Sequence, residues 1–150
     1  MLRLQALFKA EISLAPPQEL GETPQGRRRI VPITGGSFAG ERLSGRVLPG
    51  GADWQVIRPD GVAHLDARYT LETADGVLIY VRNEGYRHGP PDVMRQLAAG
   101  AQVDPASYYM RTVPRFETGG ARYAWLNNVV CVASGARRAA AVELDVYEVK

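Results

Sequence analysis

The chain reads as an all-β protein, a single closed or nearly closed antiparallel β-barrel with one short helix. Three observations carry this reading. Apolar residues occupy alternate positions over long stretches, turn-forming residues return at short intervals, and only one segment has a helical signature. With 150 residues, one core suffices: folding at this size buries about 68–70% of the unfolded surface.

The first strand is the clearest. Leu2, Leu4, Ala6, Phe8, Ala10, Ile12 and Leu14 alternate with Arg3, Gln5, Lys9, Glu11 and Ser13, a period of two that places a strand over 2–14. Turn residues at Gly21 to Gly26, Gly35-Gly36, Pro49-Gly50-Gly51, Pro59-Asp60-Gly61 and Asp75-Gly76 then bound short strands. These are expected over 27–34, 43–48, 54–58, 63–73 and 77–86. In Arg58-Pro59-Asp60-Gly61, proline presets the turn and glycine accepts its exit, while Asp75-Gly76 suits the positive-φ pair of a two-residue hairpin. The helix is expected over 92–99, with Asp92 as cap, Val93 and Leu97 four apart, and Gly100 as the stop. Strands over 108–118, 122–133 and 140–149 complete a set of nine. Strands joined by tight turns, without helical crossovers, favour a barrel over an α/β sheet, and closure removes exposed edges. The stretch from Gly85 to Pro105 is the most loop-like and is expected over the barrel mouth, as a lid or a subunit contact.

Charge excludes some partners. Eighteen basic and sixteen acidic residues leave a net charge of +2, too little for nucleic acid or an anionic membrane as the main partner. The basic residues are nearly all arginine, with Lys9 and Lys150 the only lysines. A single cysteine, Cys131, excludes an intrachain disulfide and a multi-cysteine zinc site and agrees with a reducing compartment. Arg3, Lys9 and Glu11 interrupt the first fourteen residues, so no export signal is read there. The uncharged stretch from Tyr123 to Ala136 is shorter than the roughly 20 residues that span a bilayer, and a cytoplasmic protein is expected.

Several catalytic signatures fail on inspection. Gly35-Gly36-Ser37-Phe38-Ala39-Gly40 has the glycines of a phosphate loop but no following Gly-Lys-Ser or Gly-Lys-Thr, and Ala39 breaks a nucleophile elbow, so a turn or bulge is expected. His64 and His88 lack a metal-ligand pattern and read as surface or hydrogen-bonded side chains. No metal and no cofactor are implied.

Two polar rows carry more information. In His64 to Glu72 the even-numbered residues are polar, among them Asp66 and Arg68, and form either a solvated outer face or a lined interior. Further on, Tyr109, Arg111, Arg115 and Glu117 share one face, and Tyr123, Trp125 and Asn127 share another. An aromatic wall with a few convergent polar groups describes a small-molecule pocket; the competing reading is ordinary core plus a structural Arg111–Glu117 pair. Asp53-Trp54 follows a turn, where Asp53 either faces the mouth or caps backbone N–H groups. Arg27-Arg28-Arg29 reads as a charged strand edge or a phosphate contact.

Ordered blocks through the chain resemble one family. Thr34-Gly35-Gly36, Gly50-Gly51-Ala52-Asp53-Trp54-Gln55, Asp66-Ala67-Arg68-Tyr69-Thr70-Leu71-Glu72, Asp75-Gly76, Tyr108-Tyr109-Met110-Arg111-Thr112, Phe116-Glu117-Thr118 and Tyr123-Ala124-Trp125-Leu126-Asn127 together resemble the bacterial and fungal domain-of-unknown-function 3237 family, also called uncharacterised protein family 0311. The resemblance spans nearly the whole chain. It implies a single barrel domain over 1–150, similar to the allene oxide cyclase, dirigent and lipocalin-like barrels, and it carries over no catalytic residue.

The functional expectation is a barrel that binds a small anionic or oxygenated organic molecule in its interior, as a cofactor-independent isomerase, cyclase or lyase. Arg68 and Arg111 would orient a carboxylate or oxyanion, Glu117 or Asp53 would move a proton, Trp54, Tyr109 and Trp125 would form the wall, and Asp66 and Asn127 would add polar contacts. The alternative is a non-enzymatic binding or assembly module with structural ion pairs. Homodimerisation through a strand edge or the Gly85 to Pro105 loop is compatible with either.

Overall fold

The computed structural model describes residues 1–150 and contains ten strands and one α-helix. In chain order they are β1 (Leu4–Leu14), β2 (Gln18–Thr23), β3 (Gly26–Ala39), β4 (Ser44–Val47), β5 (Ala52–Ile57), β6 (Ala63–Thr73), β7 (Leu78–His88), α1 (Pro91–Ala98), β8 (Tyr109–Glu117), β9 (Cys131–Arg137) and β10 (Ala141–Val149). Hydrogen-bonded neighbours run β1-β10-β9-β8-β7-β6, then β4 and β5 in turn bridge β6 to β3, and β3 pairs back onto β1. That last pairing closes the barrel.

One long strand makes the closure possible. The C-terminal half of β3 pairs with β1 and β4, while its N-terminal half pairs with β5 and with β2, which stands outside the circuit. The handover coincides with a register shift where Ser13 faces Gly35 but Leu14 faces Ile33. Thr34, next to Gly35-Gly36, is therefore the extra residue of a bulge inside a strand, and such a bulge bends the strand around the barrel.

Three sequence expectations change. The polar segment Gln18–Thr23 lacks any strand period, contains Gly21, and is held extended only by its ladder with β3. That ladder also moves the arginine run off any edge, since Arg27, Arg28 and Arg29 lie between β2 and β5. The expected strand over 122–133 divides: Ala121–Asn128 is 3-10 helical, and β9 starts only at Cys131. Tyr123 and Leu126, three apart, are the buried residues of that segment, which is the spacing of a 3-10 turn and not of a strand.

The hairpin at Asp75-Gly76 also differs from the expected two-residue form, whereas the Arg58 to Gly61 turn forms as its sequence predicts. Gly61 N–H donates to Arg58 O and Arg58 N–H to Val62 O, and the Thr73 to Val77 turn repeats the pattern. Within each loop only the glycine has positive φ, +85° at both Gly61 and Gly76, so both are three-residue loops closed by a glycine bulge.

Alternation separates an inner from an outer face along β6 to β10, while on β1 a bulge between Ala6 and Phe8 buries the consecutive Leu7 and Phe8. At one end the interior is apolar: Phe8 meets Phe38 and Phe116 edge-on at centroid distances of 5.3 and 5.9 Å, beside Ile79, Val81 and Leu126. The 3-10 segment seals this end. Asp75 accepts hydrogen bonds from the Tyr123 hydroxyl at 2.7 Å and the Thr73 hydroxyl at 2.6 Å, and its pKa falls to about 2. Glu148 reaches Arg42 at 2.5 Å and Lys150 at 3.1 Å across the same end. At the opposite end α1 and the chain leading to β8 lie over the mouth, with Leu97, Val103 and Tyr108 packed on Ala63, Leu65 and Met110. No helix is long and apolar enough to cross a membrane.

Candidate functional site

Between the apolar plug and the strap that carries α1, the inner faces turn polar. On β7 the inward row runs Ile79, Val81, Asn83, Gly85, Arg87; on β9 it runs Cys131, Ala133, Gly135, Arg137. β5 contributes Asp53 and Gln55, β6 Tyr69, and β8 Thr112. These side chains line an enclosed cavity of about 50 Å³, with aliphatic walls from Ile12, Val31, Leu65 and Leu144.

Asp53 is held by two donors. Gln55 Nε2 donates to its Oδ2 at 2.9 Å, and the backbone N–H of Asp66 donates to its Oδ1 at 2.8 Å. Burial pushes its pKa above the usual carboxylate range, against the opposing pull of those two hydrogen bonds and of the Arg87 charge. Burial likewise raises the Tyr69 phenol and lowers the Arg87 guanidinium to about 10. A carboxyl that holds its proton more tightly than usual is a group of the kind that serves as a general acid.

The layer is incompletely satisfied. Gln55 Oε1, Asn83 Oδ1 and Thr112 Oγ1 are buried without a hydrogen-bond partner, and all three residues line the cavity. Buried polar groups are nearly always paired, so three orphans around one void set this layer apart from the rest of the interior. No group of three or more His, Cys, Asp or Glu side chains converges anywhere in the chain.

Most residues singled out from the sequence lie elsewhere. Asp66, Arg68, Arg111 and Glu117 stand on outward-facing positions, because their strands bury the alternate residues Leu65, Tyr69, Met110, Thr112 and Phe116. Arg68 approaches Asp66 at 3.7 Å, and Arg111 donates to the Met110 carbonyl at 2.9 Å with its guanidinium over the Tyr109 ring. Trp54 and Tyr109 are exposed, the latter stacked on His88 at 4.9 Å. Trp125 lies at the plugged end beneath the Arg42 guanidinium, 4.3 Å from the ring centre. Asn127 clamps Thr118 through both its N–H and its carbonyl at 2.9 Å. Of the nine, Asp53 alone enters the lumen.

The largest concavity, about 770 Å³, is an open groove on the outside over β6 to β10 that includes Tyr109, Arg111 and Arg115. Its charged side chains reach solvent, and Glu84 there is met by Arg82 at 2.6 Å and His64 at 3.5 Å. The lumen is smaller but holds the orphaned polar atoms and the shifted acid.

Fold and site define a closed antiparallel barrel with a polar chamber under a helical strap. The chain belongs to the DUF3237 family, described as protein of unknown function, whose model matches residues 2–149. It is 51% identical to a UPF0311 protein of Bradyrhizobium diazoefficiens over 86% of this chain and 84% of that one. The crystal structure of a protein from Rhodopseudomonas palustris, 44% identical, superposes with a TM-score of 0.95 over 100% of this chain and 98% of the other. A beta-barrel like protein from Acinetobacter baumannii AYE, 48% identical, gives 0.88 over 100% and 97%. A more distant relative, 27% identical over 84% of this chain and 69% of its own length, is the hydroalkoxylation enzyme of Penicillium herquei.

Proposed function

We propose that the lumen takes up a small oxygenated organic molecule and that Asp53 moves a proton on it, in a cofactor-independent isomerisation or cyclisation. The observation that carries this reading is the set of three unpartnered atoms, Gln55 Oε1, Asn83 Oδ1 and Thr112 Oγ1, around a void that also holds a carboxyl of raised pKa. A bound hydroxyl or enol donates to the two amide carbonyls, and a bound carbonyl accepts from Thr112. At about 50 Å³ the chamber holds the reacting functional group, and the rest of the molecule takes space that the strap now fills.

The distant hydroalkoxylation enzyme supports a reaction of this kind. Adding O–H across C=C is redox-neutral. Asp53 as an acid gives its proton to one alkene carbon while the hydroxyl oxygen bonds to the other, and the hydroxyl proton returns to the carboxylate. Atoms and charge balance with no second reactant, and the same acid serves a double-bond shift.

The test is a thermal-shift screen against unsaturated hydroxy and carbonyl compounds, followed by chromatography for a product of unchanged mass. Native protein should form such a product. Asp53→Asn should bind the same compound and form none, and Thr112→Val should bind it more weakly. Equal turnover by Asp53→Asn, or binding that ignores both lumen substitutions, overturns the reading.

A further inference from the structure

The lumen holds more positive than negative charge. Arg87 on β7 and Arg137 on β9 flank β8 and line the same cavity as Asp53, the only acidic residue that lines it. Arg29 on β3 has its Nε 3.2 Å from Glu19 Oε1, without the angle for a hydrogen bond, and so is balanced by a carboxylate outside the chamber. Arg137 donates only a long 3.3 Å contact from Nη1 to the Ala141 carbonyl, while its backbone N–H is taken by the Tyr108 hydroxyl at 2.8 Å. Arg87 feels Asp53 only as a charge at a distance, and Arg29 and Arg137 repel it.

A guanidinium inside a barrel without a carboxylate at contact distance is costly, and a second one beside it raises the cost. An anion between them would offset that cost with charge-assisted hydrogen bonds. We propose that Arg87 and Arg137 form an anion-recognition pair, so that the ligand of this chamber carries a carboxylate or an ionised enol or phenol whose oxygens bridge the two guanidiniums. This deepens the lumen reading and rests on it: the anion enters at the strap end, and the uncharged part reaches Asn83, Thr112 and Asp53.

Acetate and acetamide provide the probe, being matched in shape and different in charge, and small enough for the chamber. Two-dimensional NMR of the arginine Nε–Hε groups follows each titration at constant ionic strength, so that general screening does not mimic binding. Acetate should move the Arg87 and Arg137 signals saturably and raise the melting temperature, and acetamide should do neither. Arg87→Gln or Arg137→Gln should weaken acetate about tenfold or more, and Arg87→Lys should retain part of the affinity. If the glutamine variants do not fold, Arg87→Lys and the native titration still decide the matter. Equal responses to acetate and acetamide overturn the anion pair. If neutral hydroxy compounds then still bind in a Thr112-dependent manner, the lumen reading stands without it; if nothing binds in the lumen, both fall.

Discussion

The backbone N–H of Asp66 donates to the Asp53 carboxylate at 2.8 Å, in a break of the β5–β6 ladder. Pairing runs Ala52↔Arg68 and Asp53↔Ala67 and resumes only at Val56↔His64. In the break, Arg28 donates to the freed Trp54 carbonyl at 3.1 Å. A backbone donor that would normally serve the sheet instead holds an acid in the lumen, so the strand framework positions Asp53 together with the Gln55 amide.

The first prediction concerns stability against pH at Asp53. Its folded-state pKa is raised, so the carboxyl favours folding fully only below its ordinary pKa, and that support is lost as pH climbs through the folded-state value. Asp53→Asn removes the charge, and the Gln55 amide can turn its free Oε1 toward the new Nδ2. The variant should melt higher than native protein at pH 8, with the gain fading toward pH 4. Each kcal/mol gained is worth about 2–4 °C at this size. Calorimetry across that range tests it, and a gain that grows toward low pH would contradict the raised pKa.

Thr112→Val should separate stability from binding. The hydroxyl is buried with no partner, and valine has nearly the same shape without the polar atom. Removing such a group relieves about 1 kcal/mol in the unliganded protein, while a ligand that uses the hydroxyl binds less tightly. A loss of stability by denaturant unfolding would mean that Oγ1 has an internal partner.

Glu148 anchors the plugged end, where its side chain is only 7% exposed and reaches both Arg42 and Lys150. The hydrogen bond from Arg42 is the main cause of its lowered pKa. Glu148→Gln should cost about 1–2 kcal/mol at pH 7, discounted because both cations are partly in water. A carboxylate of lowered pKa stabilises above its ordinary pKa and loses that effect as pH falls, so native and variant should converge in acid. A cost that persists undiminished in acid would place it in packing.

How much of this was legible in the sequence depends on which face is asked about. Period-two alternation located β6 closely, because one face is apolar and register then has a single solution; on β1 it located the strand, but a bulge between Ala6 and Phe8 switches the face, so Leu2 and Leu4 are exposed and Leu7 is buried. The same alternation drew attention to the outer face. Asp66, Arg68 and Glu117 stood out as polar rows, yet a continuous polar row is what water dictates on the outside of a barrel. The lumen residues Asn83, Arg87 and Arg137 were quiet because each interrupts an otherwise apolar row. That interruption was the available signal: Ile79 and Val81 yield to Asn83 and Arg87 along one face, and Cys131 and Ala133 to Arg137 along another. Which strands share a lumen end is a matter of closure, and no single strand records it.

The outer positions supply the last prediction. Glu117 ends β8 on the exposed face, and Arg68 lies 3.7 Å from Asp66 with nearly half its side chain in water. Solvent screens such groups, and exposed ion pairs contribute little. Glu117→Gln and Arg68→Ala should each change stability by no more than about 0.5 kcal/mol and leave lumen binding and turnover at native values. Denaturant midpoints and the same-mass product assay read both quantities. A large loss of turnover in Glu117→Gln would move the chemistry from the chamber to the outer face of β8, because the wall of that strand separates its carboxylate from Asp53.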